Sequence, residues 1–471
     1  MLKLALPKGS LQGSTAEFLE KAKFGFAEYK ESSRSYRPKS KSFPELFSKI
    51  FHEKDIAIQV AIGNYDLAIC GLDWIQELLV KYHSDAIVKV RKLGYGTRNI
   101  FVAQSRFSKQ YSIEDIKKQT AVIRIVSEYP NLAEAFALKA RLRRFRIIPV
   151  WGATDAYPPE HAELAIVSAV STDDLMEKDL IPIAKILTVN AWLIANRNSM
   201  ERKDLSSLLE RFYTTYLGKD TEGELSISEI DSEDAFEKKV FSDDAVSLAI
   251  ADGHQQSHTS RFMKEAGIKI KGYRQPPRTR RPVIDFDGMN VKIIRPQDMP
   301  LQVANGNFDL AITGTDWLSD QLNQFPSSPV EELVNLGFGR VRIVVVVHKD
   351  LPVESTGDLK DLVKSGRIPV LRIATEYTNI ADKYACDNHL SPYRVIPSWG
   401  ATEAFLPEDA DVLIENTETG KTLERNNLKI IETLFESTGC LIGNSNSMND
   451  PAKKERMTRF VELIKKGLSA G

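Results

Sequence analysis

The chain has 471 residues with 42% hydrophobic, 27% charged and a formal net charge of −1, so it has material for buried cores in about three domains by length alone and no global basic field for a nucleic-acid partner. Cys70, Cys386 and Cys440 show no metal-ligand spacing, which suits a reducing, cytoplasmic setting. Lys8 interrupts the first apolar run as no secretion signal would, and the longest strongly apolar stretch, residues 343–347, is far too short to cross a membrane.

In chain order, 2–6 reads as a strand and 15–23 as a helix. Residues 65–70 are a buried strand, followed by a helix for which Asp73 is the expected N-cap. A strand over 100–103 carries the chain onward. Beyond it come a strand at 122–126, a helix over 129–144, strands at 146–150 and 164–167, a strand at 192–195 and a helix over 201–216. Such alternation predicts α/β layers with largely parallel sheets, and two lobes per unit would place a ligand in the cleft between them.

The pattern then starts again. YDLAI at 65–69, with Gly71, Asp73 and Trp74, returns as FDLAI at 308–312, with Gly314, Asp316 and Trp317. LGYG at 93–96 returns as LGFG at 336–339, WGATDA at 151–156 as WGATEA at 399–404, and NSM at 198–200 as NSM at 446–448. A repeat of about 225 residues is far longer than a solenoid period. The expected division is a first copy at 1–217 (lobe I 1–103 and 188–217, lobe II 104–187) and a second at 244–471 (lobe I 244–347 and 436–471, lobe II 348–435). Between them, 218–243 carries seven acids between Asp220 and Asp234 and reads as a solvated linker, with AFEKKVF as a short helical candidate.

The most informative stretch is 409–428, DADVLIENTETGKTLERNNL. Val412, Leu413 and Ile414 make a short strand that ends in Glu415, and a Thr/Gly-rich turn leads into a helix near Leu423. Backbone N–H groups and hydroxyls at such a turn suit an anion, with Gly420 allowing close approach and Lys421 adding charge. Glu415 would repel a bare phosphate but could accept hydrogen bonds from the hydroxyls of a ribose phosphate. On this stretch alone, an ordinary threonine-capped turn accounts for the residues equally well.

Seven motifs in order resolve that choice. ALPKGSL at 5–11, SRSYRP at 33–38, RPQDMP at 295–300, NGNFDLAITGTDWL at 305–318, LGFGRVR at 336–342, ATEYTNI at 374–380 and ENTETGKTL at 415–423 resemble the ATP phosphoribosyltransferase family. Each copy is similar in size to that family's short catalytic subunit. The resemblance implies two tandem copies of a two-lobed fold like that of type II periplasmic binding proteins. It also implies condensation of ATP with phosphoribosyl pyrophosphate, the opening step of histidine biosynthesis, with Mg²⁺ held mainly by substrate phosphates. By resemblance, Thr417, Thr419, Gly420, Lys421 and Thr422 would cradle the 5′-phosphate, and Glu415 and Glu403 would bind ribose hydroxyls. Lys8, Gly9, Arg34, Arg37 and Arg295 are the nucleotide or pyrophosphate candidates. No residue is assigned as acid or base, since the reaction chiefly needs positioning and charge stabilisation. No third segment resembles the regulatory domain of the family's long form, and the sequence leaves open a separate regulatory subunit like the partner of the family's short form.

The copies depart from the family differently. The first copy's loop, 167–175, lacks the strand-end acid and the glycine, and sets Asp173 and Asp174 where the second has Lys421 and Thr422. The second copy has Asp252 where the first has Lys8, and the first has HEKDIA at 52–57 where the second has RPQDMP. The expectation is an intramolecular pseudo-dimer, open to further homo-oligomerisation, with one composite site: 415–423 and Arg295 from the second copy, completed by Lys8 from the first. A two-lobed nucleotide or anion binder without chemistry is the other reading, because neither copy carries the full set.

Overall fold

The computed structural model describes residues 1–30, 36–82, 84–107, 111–215, 225–230, 245–274 and 279–470. In the first copy, lobe I is a five-stranded sheet ordered Leu46–His52, Leu2–Lys8, Leu67–Gly71, Ala191–Asn196, Ile87–Lys92. The first three strands are parallel, and Ala191–Asn196 runs against both of its neighbours. Lobe II is ordered Ser228–Glu229, Leu180–Val189, Arg98–Ser105, Leu164–Ala169, Ile123–Ser127, Phe145–Pro149. The second copy repeats the plan. Its lobe I is Met289–Ile294, Val246–Ala251, Leu310–Gly314, Gly439–Asn444, Val330–Asn335, and its lobe II is Tyr393–Pro397, Leu371–Thr375, Val412–Thr417, Val341–His348, Leu428–Ser437. The fold is therefore a tandem of two-lobed α/β units, of the type II periplasmic-binding-protein kind.

Several local expectations shift. Arg98–Ser105 and Val341–His348 are central strands of the second lobes, hydrogen-bonded on both edges. The chain thus crosses between lobes near 93–97 and 336–340, before the expected boundaries at 103 and 347; a buried apolar run does not reveal which sheet it joins. The helix after the 65–70 strand spans Leu72–Leu79 with Gly71 as N-cap, while Asp73 sits inside its first turn, buried. The helix expected over 129–144 is Pro130–Lys139, and the chain turns away through Arg141 at φ 55°. The one expected over 201–216 is two: Arg197–Arg202, capped by the Asn196 side chain, and Ser206–Thr214. Within the acidic linker, Ser228 and Glu229 pair with Lys185 and Ala184 as an exposed edge strand; AFEKKVF and Arg34 lie outside the described residues.

The copies are knitted by crossing lobes. One continuous core joins Phe101, Ile148 and Leu180 of the first copy's lobe II to Ala249, Phe308 and Ile442 of the second copy's lobe I. Another joins Ala5, Phe51 and Ile194 of the first lobe I to Val344, Phe405 and Leu413 of the second lobe II. Matching ion pairs rim both. Arg37 Nη2 and Lys49 Nζ reach Glu408 Oε2 at 2.9 and 2.7 Å. Arg281 Nη1 and Lys292 Nζ reach Glu160 Oε1 and Oε2 at 2.6 and 2.9 Å. Lys49 also meets Asp409 at 2.7 Å with both side chains buried, and burial pulls its ammonium below the usual lysine range despite both carboxylates. The pairing is that of an approximate two-fold, in which each copy's lobe I packs on the other's lobe II.

Candidate active site

That arrangement builds two composite clefts. In one, the second copy's strand Val412–Thr417 ends at the phosphate-type loop, which leads into the short helix Lys421–Arg425. Gly420 is left-handed at φ 78°, and a Cβ there would meet nothing nearer than Ile430 Cδ1 at 4.0 Å. Backbone conformation, not crowding, therefore demands the glycine. Thr417 Oγ1 accepts the Gly420 N–H at 3.0 Å and fixes the turn. Thr419, Lys421 and Thr422 are exposed.

Behind the loop, Glu415 has neighbouring carboxylates at Glu403 and Glu376. Burial and then their negative charge push the Glu415 carboxyl well above its ordinary range. Burial, eased by a hydrogen bond with Gln297, lifts Glu376 to about 7. Ligand hydroxyls or positive charge would relieve this cluster.

The first copy supplies the opposite wall. The Tyr36 hydroxyl lies within hydrogen-bonding reach of Glu403 and beside Glu415; burial and these carboxylates raise its pKa. Lys8 Nζ donates to that hydroxyl at 3.2 Å and sits 5.0 Å from the ring centroid. Next to Lys8, Gly9 adopts φ 112° over Glu53, whose Oε1 would lie 3.2 Å from an added Cβ. His52 approaches Gly400, where an added Cβ would lie 4.0 Å from its Cδ2 and 3.8 Å from Glu376 Oε1. Burial, then Lys54 and Lys8, lower the imidazole pKa to about 4, which keeps it neutral at pH 7.

Two sequence candidates fall elsewhere. Arg37 is held at the interface by Glu408 and by the carbonyls of Ala404 and Leu406, a partner set that leaves its guanidinium structural. Arg295 belongs to the other cleft: its Nη1 binds Asp252 Oδ1 at 3.1 Å, and its Nε would lie 2.8 Å from a Cβ on Gly152. Its strand, Met289–Ile294, sits in the lobe that packs on the first copy, so it is not grouped with 415–423. Conversely, Tyr36, His52 and Glu376 were passed over in the sequence, although Tyr36 and Glu376 sit inside SRSYRP and ATEYTNI. Within those two motifs the sequence reading singles out only the cations Arg34 and Arg37.

In the second cleft the charges cancel. Asp252 pairs with Arg280 at 2.8 Å as well as with Arg295, and Arg280 also meets Asp155 at 3.4 Å. In the loop itself, Asp174 Oδ2 accepts the Val170 and Ser171 N–H groups, each at 3.0 Å. These amides match those of Glu418 and Thr419 in the repeat, so a carboxylate holds the donors that a phosphate would use.

A two-lobed unit with a left-handed glycine loop, hydroxyls, a lysine and a carboxylate cluster offers the donors and acceptors that a sugar phosphate would use. The family model for ATP phosphoribosyltransferase matches residues 52–214 and 295–466. The chain is 34% identical over 228 residues to the ATP phosphoribosyltransferase of Prosthecochloris aestuarii, covering 47% of this chain and 71% of that protein. It is 33% identical over 234 residues to that of Chlorobaculum parvum, covering 49% and 74%. Among solved structures, the ATP phosphoribosyl transferase HisG:HisZ complex of Thermotoga maritima matches with a TM-score of 0.39 at 21% identity, over 48% of this chain and all of that one. A Candida albicans protein of the generic periplasmic binding protein fold matches with a TM-score of 0.31 at 11% identity, over 47% and 70%. The chain belongs to the ATP phosphoribosyltransferase family, in two tandem copies.

Proposed function

We propose that this chain runs its family's reaction at one composite cleft. The chain is a phosphoribosyltransferase, a glycosyltransferase-type enzyme of histidine biosynthesis. It condenses ATP with phosphoribosyl pyrophosphate to N1-(5-phosphoribosyl)-ATP and pyrophosphate. In our reading, Gly420, Lys421, Thr419 and Thr422 hold the 5′-phosphate, with Thr417 locking the turn, and Glu415 and Glu403 accept ribose hydroxyls. Lys8, next to Gly9, faces them from the first copy. As the bond from C1 to pyrophosphate breaks and N1 of the adenine bonds to C1, positive charge grows on the ribose and the base. The carboxylates of Glu376, Glu403 and Glu415 stabilise that charge without covalent chemistry. The observation that carries this is Tyr36, a first-copy residue bonded to Lys8 and set against Glu403 and Glu415 of the second.

Among the described residues no group of three or more His, Cys, Asp or Glu could hold a metal. The loop instead offers amides, hydroxyls and an ammonium, donors for phosphate oxygens. This set fits Mg²⁺ carried by the pyrophosphate, where it would neutralise the leaving group. We also propose a separate regulatory subunit as partner, on the family resemblance alone. No helix among the described residues is long and apolar enough to cross a membrane.

Calorimetric titration of the full chain with phosphoribosyl pyrophosphate and Mg²⁺, beside an assay of phosphoribosyl-ATP formation, tests this reading. One binding site per chain with turnover is expected. Two equivalent sites would break the composite assignment, and tight nucleotide binding without turnover, alone or with a regulatory subunit, would overturn the enzymatic one.

A further inference from the structure

Four of the chain's five tryptophans line a single cavity of about 950 Å³ between the copies. Its walls come in repeat-matched pairs: Trp74 with Trp317, Trp151 with Trp399, and Glu77 with Asp320. The Trp151 ring centroid lies 6.1 Å from that of Trp317 and 6.2 Å from that of Trp399. Trp74 and Trp317 are each backed by a tyrosine, Tyr129 and Tyr377, at 4.4 Å. Rigid π faces therefore surround the space.

Its repeat-matched carboxylates are acceptors. Glu77 takes the Asn131 and Leu132 N–H groups, one on each oxygen at 2.8 Å. Asp320 Oδ1 takes those of Asn379 and Ile380 at 2.9 Å, and Oδ2 the Asn379 side-chain amide at 2.8 Å. Lone pairs remain on the Glu77 carboxylate. Gln297 Oε1, also in the wall, is buried with no hydrogen-bond partner among the described residues. Of the three cations in the wall, two are paired. Lys54 binds Glu128 at 3.1 Å and covers the Trp74 ring at 5.1 Å, Arg372 is paired with Asp411 at 2.9 Å, and Arg394 is exposed.

Carboxylates set among indole faces disfavour phosphates and carboxylates and attract positive charge. The apolar share of the wall asks for a body as well as a charge. We propose that this cavity binds a small amphipathic organic cation, a ring-bearing amine or quaternary ammonium. Such a ligand stacks its ring and its onium group on the tryptophans and directs the charge towards Glu77 and Asp320. The site is separate from the composite cleft, though Glu376 borders both, and its assignment does not depend on the reaction proposed there.

The cavity's own tryptophans supply the readout. Titrating the full chain with benzyltrimethylammonium should change the tryptophan fluorescence saturably. Phenylacetate should produce no saturable change, and benzyl alcohol should bind about tenfold more weakly than the cation or worse. Glu77→Gln combined with Asp320→Asn should weaken the cation about tenfold. Because those carboxylates also tie the lobes together, Val370→Lys at the exposed mouth is a second variant that leaves packing intact and should weaken it similarly. No saturable change with the cation, equal affinity for all three probes, or unchanged affinity in Val370→Lys overturns the proposal; equal affinity would mark an apolar groove, as for a partner's hydrophobic segment.

Discussion

The two composite clefts share a frame and differ in what fills it. Each frame has an Arg and a Lys on one acid, Arg37 and Lys49 on Glu408 or Arg281 and Lys292 on Glu160. Inside, Lys8, Tyr36 and His52 of one cleft stand where the other has Asp252, Arg280 and Arg295. Glu403 and Glu415 stand where the other has Asp155 and Val167. In the cleft with Asp252, every one of these charges has an opposite partner at 3.4 Å or less. In the cleft with Lys8, carboxylates crowd carboxylates, and burial together with that repulsion raises the pKa values of Glu376 and Glu415. A self-neutralised cleft is stable without a ligand; a frustrated one gains most when a ligand arrives. In the reading proposed above, one cleft is scaffold and the other is the binding site.

If the frame is symmetric, breaking it on either side should cost alike, and this is the largest effect expected. Glu408→Ala and Glu160→Ala each strip an acid from an Arg and a mostly buried Lys, so each should destabilise the chain by about 2–4 kcal/mol in urea unfolding. The Glu408 carboxyl is held down to about 2, by Arg37 and Lys49 against the opposing cost of burial. Its contribution is therefore present above the unfolded value of about 4.5 and fades as pH falls through about 2. The gap between Glu408→Ala and the parent protein should shrink over that window. A silent Glu160→Ala would show that the two frames are not equivalent.

Within the clefts the expected effects are unequal. Lys8→Ala should weaken phosphoribosyl pyrophosphate by roughly 1.5–3 kcal/mol, a lost charged hydrogen bond. Asp252→Ala, its repeat counterpart, should leave that affinity unchanged. Gly420→Val forces a β-branched residue into a left-handed turn and should also lower affinity. Thr422→Ala, which deletes one hydroxyl donor, should cost about 0.5–1.5 kcal/mol. Equal losses from Lys8→Ala and Asp252→Ala, measured by calorimetry, would remove the distinction between the clefts.

How much of this could be read beforehand depends on distance along the chain. The repeat, the sheet-forming runs and the loop around Gly420 are local patterns, and they were legible. The strand Leu46–His52 was not, because Lys49 interrupts its apolar face; the lysine is buried there against Glu408 and Asp409, 359 and 360 residues on. Arg37 and Arg295 illustrate the same blindness. A motif arginine has one appearance in sequence, whether it faces a phosphate or, like Arg37, an acid 371 residues away. Tyr36 and Glu376 act across the same interface, and nothing nearby in the chain announces their company. Asp174 could be read as a charge that repels phosphate, but not as a ligand for the loop's own amides.

That last residue gives the smallest expected effect and the finest test. Asp174 caps the Val170 and Ser171 N–H groups, and Asp173 opens the helix Asp173–Met176 beside it. Replacing both by alanine frees amides at the loop's rim, where water can reach them. The loss in stability should be small, the net value of solvent-exposed hydrogen bonds. The Michaelis constant for phosphoribosyl pyrophosphate should not move, because Val167 supplies no ribose acceptor and Asp252 still faces the cleft in place of a lysine. Emptying the loop of its internal anion is therefore not sufficient to make it a site. A large change in that constant, in either direction and with the fold intact by circular dichroism, would mean that this loop touches substrate and that the working cleft has been placed on the wrong side of the pseudo-dimer.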